Sequence, residues 1–385
     1  MDAVVVVDAD REVAGPKFRA SVGTVSDGGA QAMKRVVFVA PGVVPPLTEG
    51  RKRLVIDLAA ALRVRGIEVD VLDGAPSSSS AYTIRRAVRA VANICAGAAP
   101  PDVVAVFPFG TFRGLRAWAN TWLLNRVRSI CRCAEIPVLP IFYSCAGLDL
   151  EEIGRRFGPA LAVGGEGPSV RMIHLGVDRP LEARQSNNSE MRRILFLCGY
   201  QHPGRRAWRD VLYGRGLIDV FRAGDLLAGA GITLTVAIPF FKHPQMRGLL
   251  QAEAVRHCPQ LMIESQSEVD PIACFAAHDA FVFPYRDEHS VFIPHSLLEA
   301  LSVGIPTLAA DQRMYRELTA AHGVPRCNLH RVGDAGDLAT NLLNMQRNYA
   351  TIIARAAQAS IEIRGQWNME HCVNDVLAAF DQLKK

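Results

Sequence analysis

The chain repeats one pattern: a short, almost wholly apolar run, a stretch of helical periodicity, then another apolar run. The first series is "KRVVFVAPG" (34–42), "IEVDVL" (67–72), "DVVAVFPFG" (102–110) and "IPVLPIFYSCAG" (136–147). Helical stretches lie between these runs, over 49–66 and 113–134. In the first, Leu54, Leu58, Ala61 and Leu62 recur at helical spacing and Gly66 supplies the stop. After "RMIHLGVDRPLEARQSNNSEMRR" (171–193), whose polar second half reads as a linker, the pattern restarts with "ILFLCGY" (194–200). A helix at 214–230 follows, then "ITLTVAIP" (232–239), a helix at 243–257, "LMIES" (261–265), a helix near 271–278, "AFVFP" (280–284), "PTLAA" (306–310) and helices to the end. Apolar runs that alternate with helices demand parallel strands covered on both faces. The expected fold class is therefore α/β, two Rossmann-like doubly wound domains facing a cleft, with the chemistry beyond the carboxyl ends of the strands.

The length supports two cores: 385 residues, 49% of them hydrophobic, exceed the usual single domain. Residues 1–32 read as a flexible extension, which leaves Met1 and Met33 both open as the start. No apolar run is long enough to span a bilayer, and the amino-terminal apolar run lacks the basic flank of a secretory signal. A cytoplasmic location is expected. The nine cysteines sit mostly in apolar runs and read as reduced core thiols; "CRC" (131–133) has no second pair at zinc spacing, so no metal site is expected.

The net charge is +5, and residues 33–187 carry about seven more basic than acidic side chains. The clusters "RKR" (51–53), "RRAVR" (85–89), "NRVRSICR" (125–132) and "GRRFG" (154–158) supply them. A solvated basic face, an anionic lipid surface or a phosphorylated acceptor all fit this excess. Within "RGLRAWANTWLLNRVRSICR" (113–132), Leu115, Trp118, Trp122 and Val127 alternate with arginines, which suits either a membrane interface or a helix packed on its own sheet. No aromatic RNA-binding motif accompanies the basic clusters, so nucleic acid is not expected as a partner. Phosphate-loop, nucleophile-elbow and dinucleotide glycine motifs are also missing, which argues against ATPases, hydrolases of that type and dehydrogenases.

The segment "HSVFIPHSLLEALSVGIPTLAA" (289–310) places one acid, Glu299, in an apolar helical run. Pro294 favours a helix start and Gly304 a stop. On that helix His295, Glu299 and Ser302 share one face, expected to point along the cleft, while Leu297, Ala300 and Leu301 fall toward the core. First-turn amides around His295 and Ser296 make a site for phosphate or pyrophosphate. Glu299 is then either a ligand for sugar hydroxyls or an ion-paired helix acid.

"SLLEALSVGIPTLAA" closely resembles the donor-site segment of family 4 glycosyltransferases of the GT-B fold. The resemblance extends to "EGRKRLVIDLAAALRVRGIEVDVL", with Gly50 in place of a loop glycine, and to "VLYGRGLIDVFRAGDLL" (211–227), with Arg215 and Gly216 in place of a phosphate-binding Lys-Gly. "MIHLGVD" (172–178) and "GQWNMEHCVNDVL" (365–377) are similar to the interdomain and closing-helix segments. After the extension at 1–32, the resemblance implies an acceptor-side domain at 33–180, a nucleotide-sugar domain at 181–365 and a helix at 366–385 that packs back on the first domain.

The implied activity is sugar transfer from a nucleotide-sugar, UDP- or GDP-linked, to a hydroxyl of a carbohydrate or lipid-linked acceptor, with retention of configuration and no required cofactor. The lipid-linked option carries with it peripheral contact of the first domain with the inner face of an anionic membrane. Glu299, His295, Ser296, Arg215, Gly216 and Gly50 are the implied donor-site residues, with Arg209 and Lys242 as further cations. The chain departs from the family at three places. Val291 stands where a paired acid is expected, so Asp287 and Glu288 become the candidate catalytic acids. Phe107, Pro108 and Phe109 occupy the place of a His, and "LCGYQHPGRRAWRD" leaves Arg205, Arg206 or Arg209 to serve as the second phosphate cation. A non-catalytic GT-B partner protein and a nucleotide-sugar epimerase of the same fold are the alternatives.

Overall fold

The computed structural model describes residues 33–41, 43, 50–72, 80–109, 114–143, 149–176, 190–200, 203–286, 293–312, 316–321 and 324–383. They form two compact units, one built chiefly from Arg51–Gly176 and Met369–Lys385, the other from Val177–Asn368.

In the first unit the elements run β1 (Arg35–Val39), α1 (Gly50–Val64), β2 (Glu68–Leu72), α2 (Ser80–Cys95), β3 (Val103–Val106), α3 (Gly114–Cys133), β4 (Val138–Phe142), α4 (Leu150–Phe157), β5 (Ala160–Val163) and β6 (Val170–Ile173). All six strands are parallel, in the order β2-β1-β3-β4-β5-β6. The chain thus leaves β1 in one direction and returns across it to β3. With right-handed crossovers, α1 lies on one face and α2 and α3 on the other, and α2 packs on α3. β3 and β5 are buried at every residue, as strands covered on both faces must be. A final helix, α14 (Met369–Leu383), belongs to this unit: Asp375 accepts from the His174 backbone N–H at 2.9 Å and lies 2.7 Å from His174 Nδ1.

The second unit contains β7 (Arg193–Leu197), α5 (Arg205–Arg209), a π turn (Asp210–Gly214), α6 (Leu217–Arg222), α7 (Gly224–Gly229), β8 (Thr233–Ala237), a 3₁₀ turn (Pro239–Lys242), α8 (Pro244–His257) and β9 (Ile263–Gln266). It continues with α9 (Pro271–Ala277), β10 (Ala280–Phe283), α10 (His295–Val303), β11 (Thr307–Ala310) and α11 (Arg316–Thr319). After a two-residue hairpin of β12 (Ala320–Ala321) and β13 (Val324–Pro325) come β14 (Asn328–His330), α12 (Ala335–Arg347) and α13 (Tyr349–Gln366). Its sheet is also six-stranded and parallel, in the order β14-β11-β10-β7-β8-β9. Phe196, Phe221, Phe240, Phe241, Phe275, Phe281 and Phe283 fill its core.

One device sets the amino end of both sheets. Asp102, just before β3, accepts from the backbone N–H groups of Lys34 and Arg35 at 2.7 and 2.9 Å. Asp279, just before β10, does the same for Arg192 and Arg193 at 2.9 and 2.8 Å. In each case the carboxylate ties the first strand of its unit to the strand on the far side of the reversal in chain order, and so fixes their register.

Three expectations change. β5 and β6 lie where no strand was expected, and β14 in a stretch read as helical; each is four residues or fewer, too short for periodicity to declare. The helix expected over 214–230 is two short helices, preceded by a tight turn at Gly216. Arg51, counted among surface cations, is buried and donates to the carbonyls of Phe107 at 3.3 Å and Pro41 at 2.9 Å, beside the Phe109 ring. It bridges the carboxyl ends of β1 and β3. Of the cysteines, Cys131, Cys198, Cys258, Cys274, Cys327 and Cys372 are buried free thiols. Among the described residues no helix is long and apolar enough to cross a membrane, and no cluster of three or more His, Cys, Asp or Glu could hold a metal ion.

Candidate functional site

In the second sheet the chain adds β8 and β9 on one side of β7, then crosses to β10, β11 and β14 on the other. Helices that follow strands on opposite sides of such a reversal diverge, which leaves a crevice beyond the carboxyl ends of β7 and β10. The segments leaving these two strands, and the turn over 210–216, bring a polar cluster to that place.

Tyr200, three residues past β7, donates its hydroxyl to Asp210 at 2.5 Å. Arg215 Nε lies 3.3 Å from the same carboxylate, and its guanidinium sits 4.7 Å from the centre of the Tyr285 ring and 5.9 Å from that of Tyr200. Tyr285 in turn stacks on Phe283 at 3.7 Å. Arg215 is therefore held in orientation by an acid on its edge and aromatic rings beside it, the kind of fixation that suits a planar guanidinium to a phosphate. Burial works against its charge; the surrounding Tyr285, Cys198, Tyr200 and Asp210 outweigh that and raise its hold on the proton. Burial pushes the Tyr200 hydroxyl up to about 12, so it remains a donor at neutral pH. The Cys198 thiol is also raised by burial, which removes it as a nucleophile.

Gly216 follows Arg215 with φ +72°, and a Cβ there would stand 1.9 Å from the Pro284 carbonyl oxygen. The turn bearing Arg215 is thus pressed against the backbone leaving β10, and the Arg286 N–H donates to Gly214 at 2.9 Å. A second ion pair lies alongside: Arg286 grips Asp219, whose side chain is fully buried, through two nitrogens, one at 2.7 Å.

After this crevice the chain enters α10, with Pro294 at the N-cap and Gly304 in the left-handed conformation at the C-cap. Leu297 and Leu298 donate to the Pro294 carbonyl, so the hydrogen-bond ladder begins two residues into the helix. His295 Nδ1 stands 3.4 Å from Glu299 Oε2, and both side chains are buried. Ser302 turns its hydroxyl onto the Glu299 carbonyl at 2.8 Å. The polar stripe expected to line open space is as buried as the apolar one, and only Ser296 is half-exposed. Ser302 is consumed by its own helix, which leaves His295 and Glu299 as the candidate pair on this face.

Other expected residues fall apart from this cluster or outside what is described. Arg209 is exposed on α5, as are Arg205 and Arg206. Lys242 is exposed at the end of the turn that follows β8. Gly50 opens α1. Asp287, Glu288 and Val291 lie outside the described residues.

No model of a known protein family matches the chain, and no curated protein matches it. Solved structures do. A glycosyltransferase from Rickettsia africae superposes with a TM-score of 0.66 at 12% identity, covering 92% of this chain and 100% of that one. Sucrose-phosphate synthase from Thermosynechococcus elongatus gives 0.65 at 14%, covering 91% and 99%. Anabaena HepE, solved in complex with UDP-glucose, gives 0.60 at 14%, covering 91% and 100%. The chain has the GT-B fold. At such low identity the likeness speaks for architecture alone, and the residues of the crevice must make their own case.

Within this GT-B chain, Tyr200, Asp210, Asp219, Tyr285 and Arg286 were not anticipated. One of them left a trace. Asp219 interrupts the apolar run "LIDVF", and an acid buried in such a run needs a cation against it, here the partly exposed Arg286. Nothing local marks Tyr200 or Tyr285 beyond their position just past a strand.

Proposed function

We propose that the protein is a glycosyltransferase that moves a sugar from a nucleotide-sugar, UDP- or GDP-linked, to an acceptor hydroxyl on a carbohydrate or lipid-linked molecule, with retention of configuration. The observation that carries this reading is the fixed Arg215 at the reversal point of the second sheet, in the unit whose α10 bears the buried His295–Glu299 pair. Arg215 and the first-turn amides of α10 take the diphosphate, and Glu299 takes a pair of ribose hydroxyls. As the glycosidic bond breaks, negative charge grows on the leaving diphosphate; a preoriented cation and helix amides stabilise that charge without reorganising. Asp210 and Tyr285 hold the guanidinium plane and so act as positioning residues. HepE, a protein of the same fold, is solved with UDP-glucose, so the uridine series is the first to titrate.

The test is calorimetric titration with UDP, GDP and ADP and their sugar conjugates on wild type, Arg215→Gln and Glu299→Gln. One nucleotide series is expected to bind. A charge-assisted hydrogen bond contributes about 1.5–3 kcal/mol, so Arg215→Gln weakens that series roughly 10- to 150-fold. Folded wild type that binds none of them refutes the proposal. A sugar altered without any acceptor present identifies an epimerase instead.

A further inference from the structure

Helix α3 is 20 residues long, about 30 Å, and contributes Asn120, Leu124, Val127 and Cys131 to the core. At 100° per residue, Leu115, Trp118 and Trp122 fall on the side opposite those four. Leu115 is 88% exposed and Trp118 65%, and Trp122 stacks on Trp118 with ring centres 6.5 Å apart. Packing on its own sheet therefore does not account for the tryptophans of this helix. Further along the same outward side lie Arg126 and Arg132, both exposed. The neighbouring α2 adds exposed Arg85 and Arg89, and neither helix contains an acidic residue.

We propose that the outward face of α3, together with the arginines of α2, is a docking surface for an anionic lipid bilayer. Indole rings sit at the border of headgroup and acyl chain, and guanidinium groups pair with lipid phosphates just above. A helix lying along the surface presents both at once. A stable protein interface takes about 800 Å² from each partner around a wide apolar centre, and three apolar side chains among arginines are too few for one. The surface lies in the first unit, apart from the crevice residues of the second, and its assignment does not rest on sugar transfer.

The experiment is flotation of the full chain with vesicles of phosphatidylcholine alone or with about one-third phosphatidylglycerol, at low and raised salt. Wild type is expected to float with the anionic vesicles only, more weakly at raised salt, while its tryptophan emission moves to shorter wavelength. Trp118→Ala/Trp122→Ala and, separately, Arg126→Glu/Arg132→Glu each reduce binding at least about tenfold. Because the replaced side chains are exposed or half-buried, both variants keep the circular dichroism spectrum and the nucleotide-binding behaviour of wild type. Folded wild type that ignores anionic vesicles overturns the proposal, as does vesicle binding unchanged in both variants. Capture by duplex DNA without vesicle binding also overturns it. Failure to bind nucleotides, with vesicle binding intact, counts against the donor site and leaves this surface standing.

Discussion

Replacing Gly216 by Ala should cost far more than the loss of a flexible residue. The left-handed conformation at φ +72° penalises any side chain by about 1–2 kcal/mol. The new methyl would also stand 1.9 Å from the Pro284 oxygen and 2.8 Å from its carbonyl carbon, both backbone atoms just past β10. Overpacking of that kind costs about 1–3 kcal/mol, and the reduced freedom of the unfolded chain returns about 0.4–1. The sum is roughly 1–4.6 kcal/mol of destabilisation, centred near 3. Gly231 is the matched control: it has φ +70° and nothing within 4 Å of its would-be Cβ, so Gly231→Ala should cost about 1 kcal/mol or less. The assay is equilibrium unfolding in urea followed by tryptophan fluorescence, with free energies compared at unchanged denaturant slope. If the two units unfold in separate steps, the step reported by buried Trp208 is the one that moves. Equal costs at the two glycines would refute the close approach of the 210–216 turn to the exit of β10, and with it the geometry that holds Arg215.

Two further outcomes follow from the same unit. Arg286→Ala leaves the fully buried Asp219 carboxylate without its cation and should cost roughly 2–4 kcal/mol, tempered because Arg286 itself is partly exposed. The double variant Arg286→Met/Asp219→Leu should recover a large part of that loss in urea unfolding, and a double variant no more stable than the single one contradicts this account. His278 is buried, with its Nδ1 2.7 Å from the Cys274 carbonyl, and desolvation lowers its pKa below the ordinary 6.5. The native state therefore binds fewer protons than the unfolded chain once pH drops below about 6.5, so stability is full above that value and declines as pH falls toward the native pKa. Thermal melts from pH 7 to about pH 5 should show a shallower decline in His278→Gln than in wild type. Parallel curves would show that His278 does not contribute.

The order of elements was legible because strands covered on both faces are written as unbroken apolar runs, and the runs around Phe38, Val104, Phe196 and Phe281 declare themselves without context. β5 and β6 did not, since four residues beside Gly158 and among basic side chains carry no period. Gly216 and Arg215 were legible through resemblance to a motif, whereas their actual setting depends on Asp210, Tyr285 and Pro284, which reach them through tertiary contact. Glu299 stood out by burial logic alone, an acid among leucines. The burial of Ser302's face could not be read from a helical wheel, because a wheel shows which residues share a face and says nothing about what covers it. The same limit applies to α3: periodicity placed Trp118 and Trp122 on one face, and only the fold shows that this face points away from the core.

The first unit is completed by residues that leave the ribosome long after the rest of it. Its sheet ends at β6, yet α14 contacts β4 and β6, Arg65 donates to Asn374 at 2.8 Å, and a Cβ at Gly176 would stand 2.6 Å from the Met369 Cα. The whole of Val177–Asn368 is made in between, which takes about 10–40 s at ordinary rates of synthesis. For that interval the nascent first unit lacks the helix whose Val373, Val376 and Phe380 are buried in the finished protein. Damage confined to α14 should therefore register as a defect of the half of the protein that was translated first.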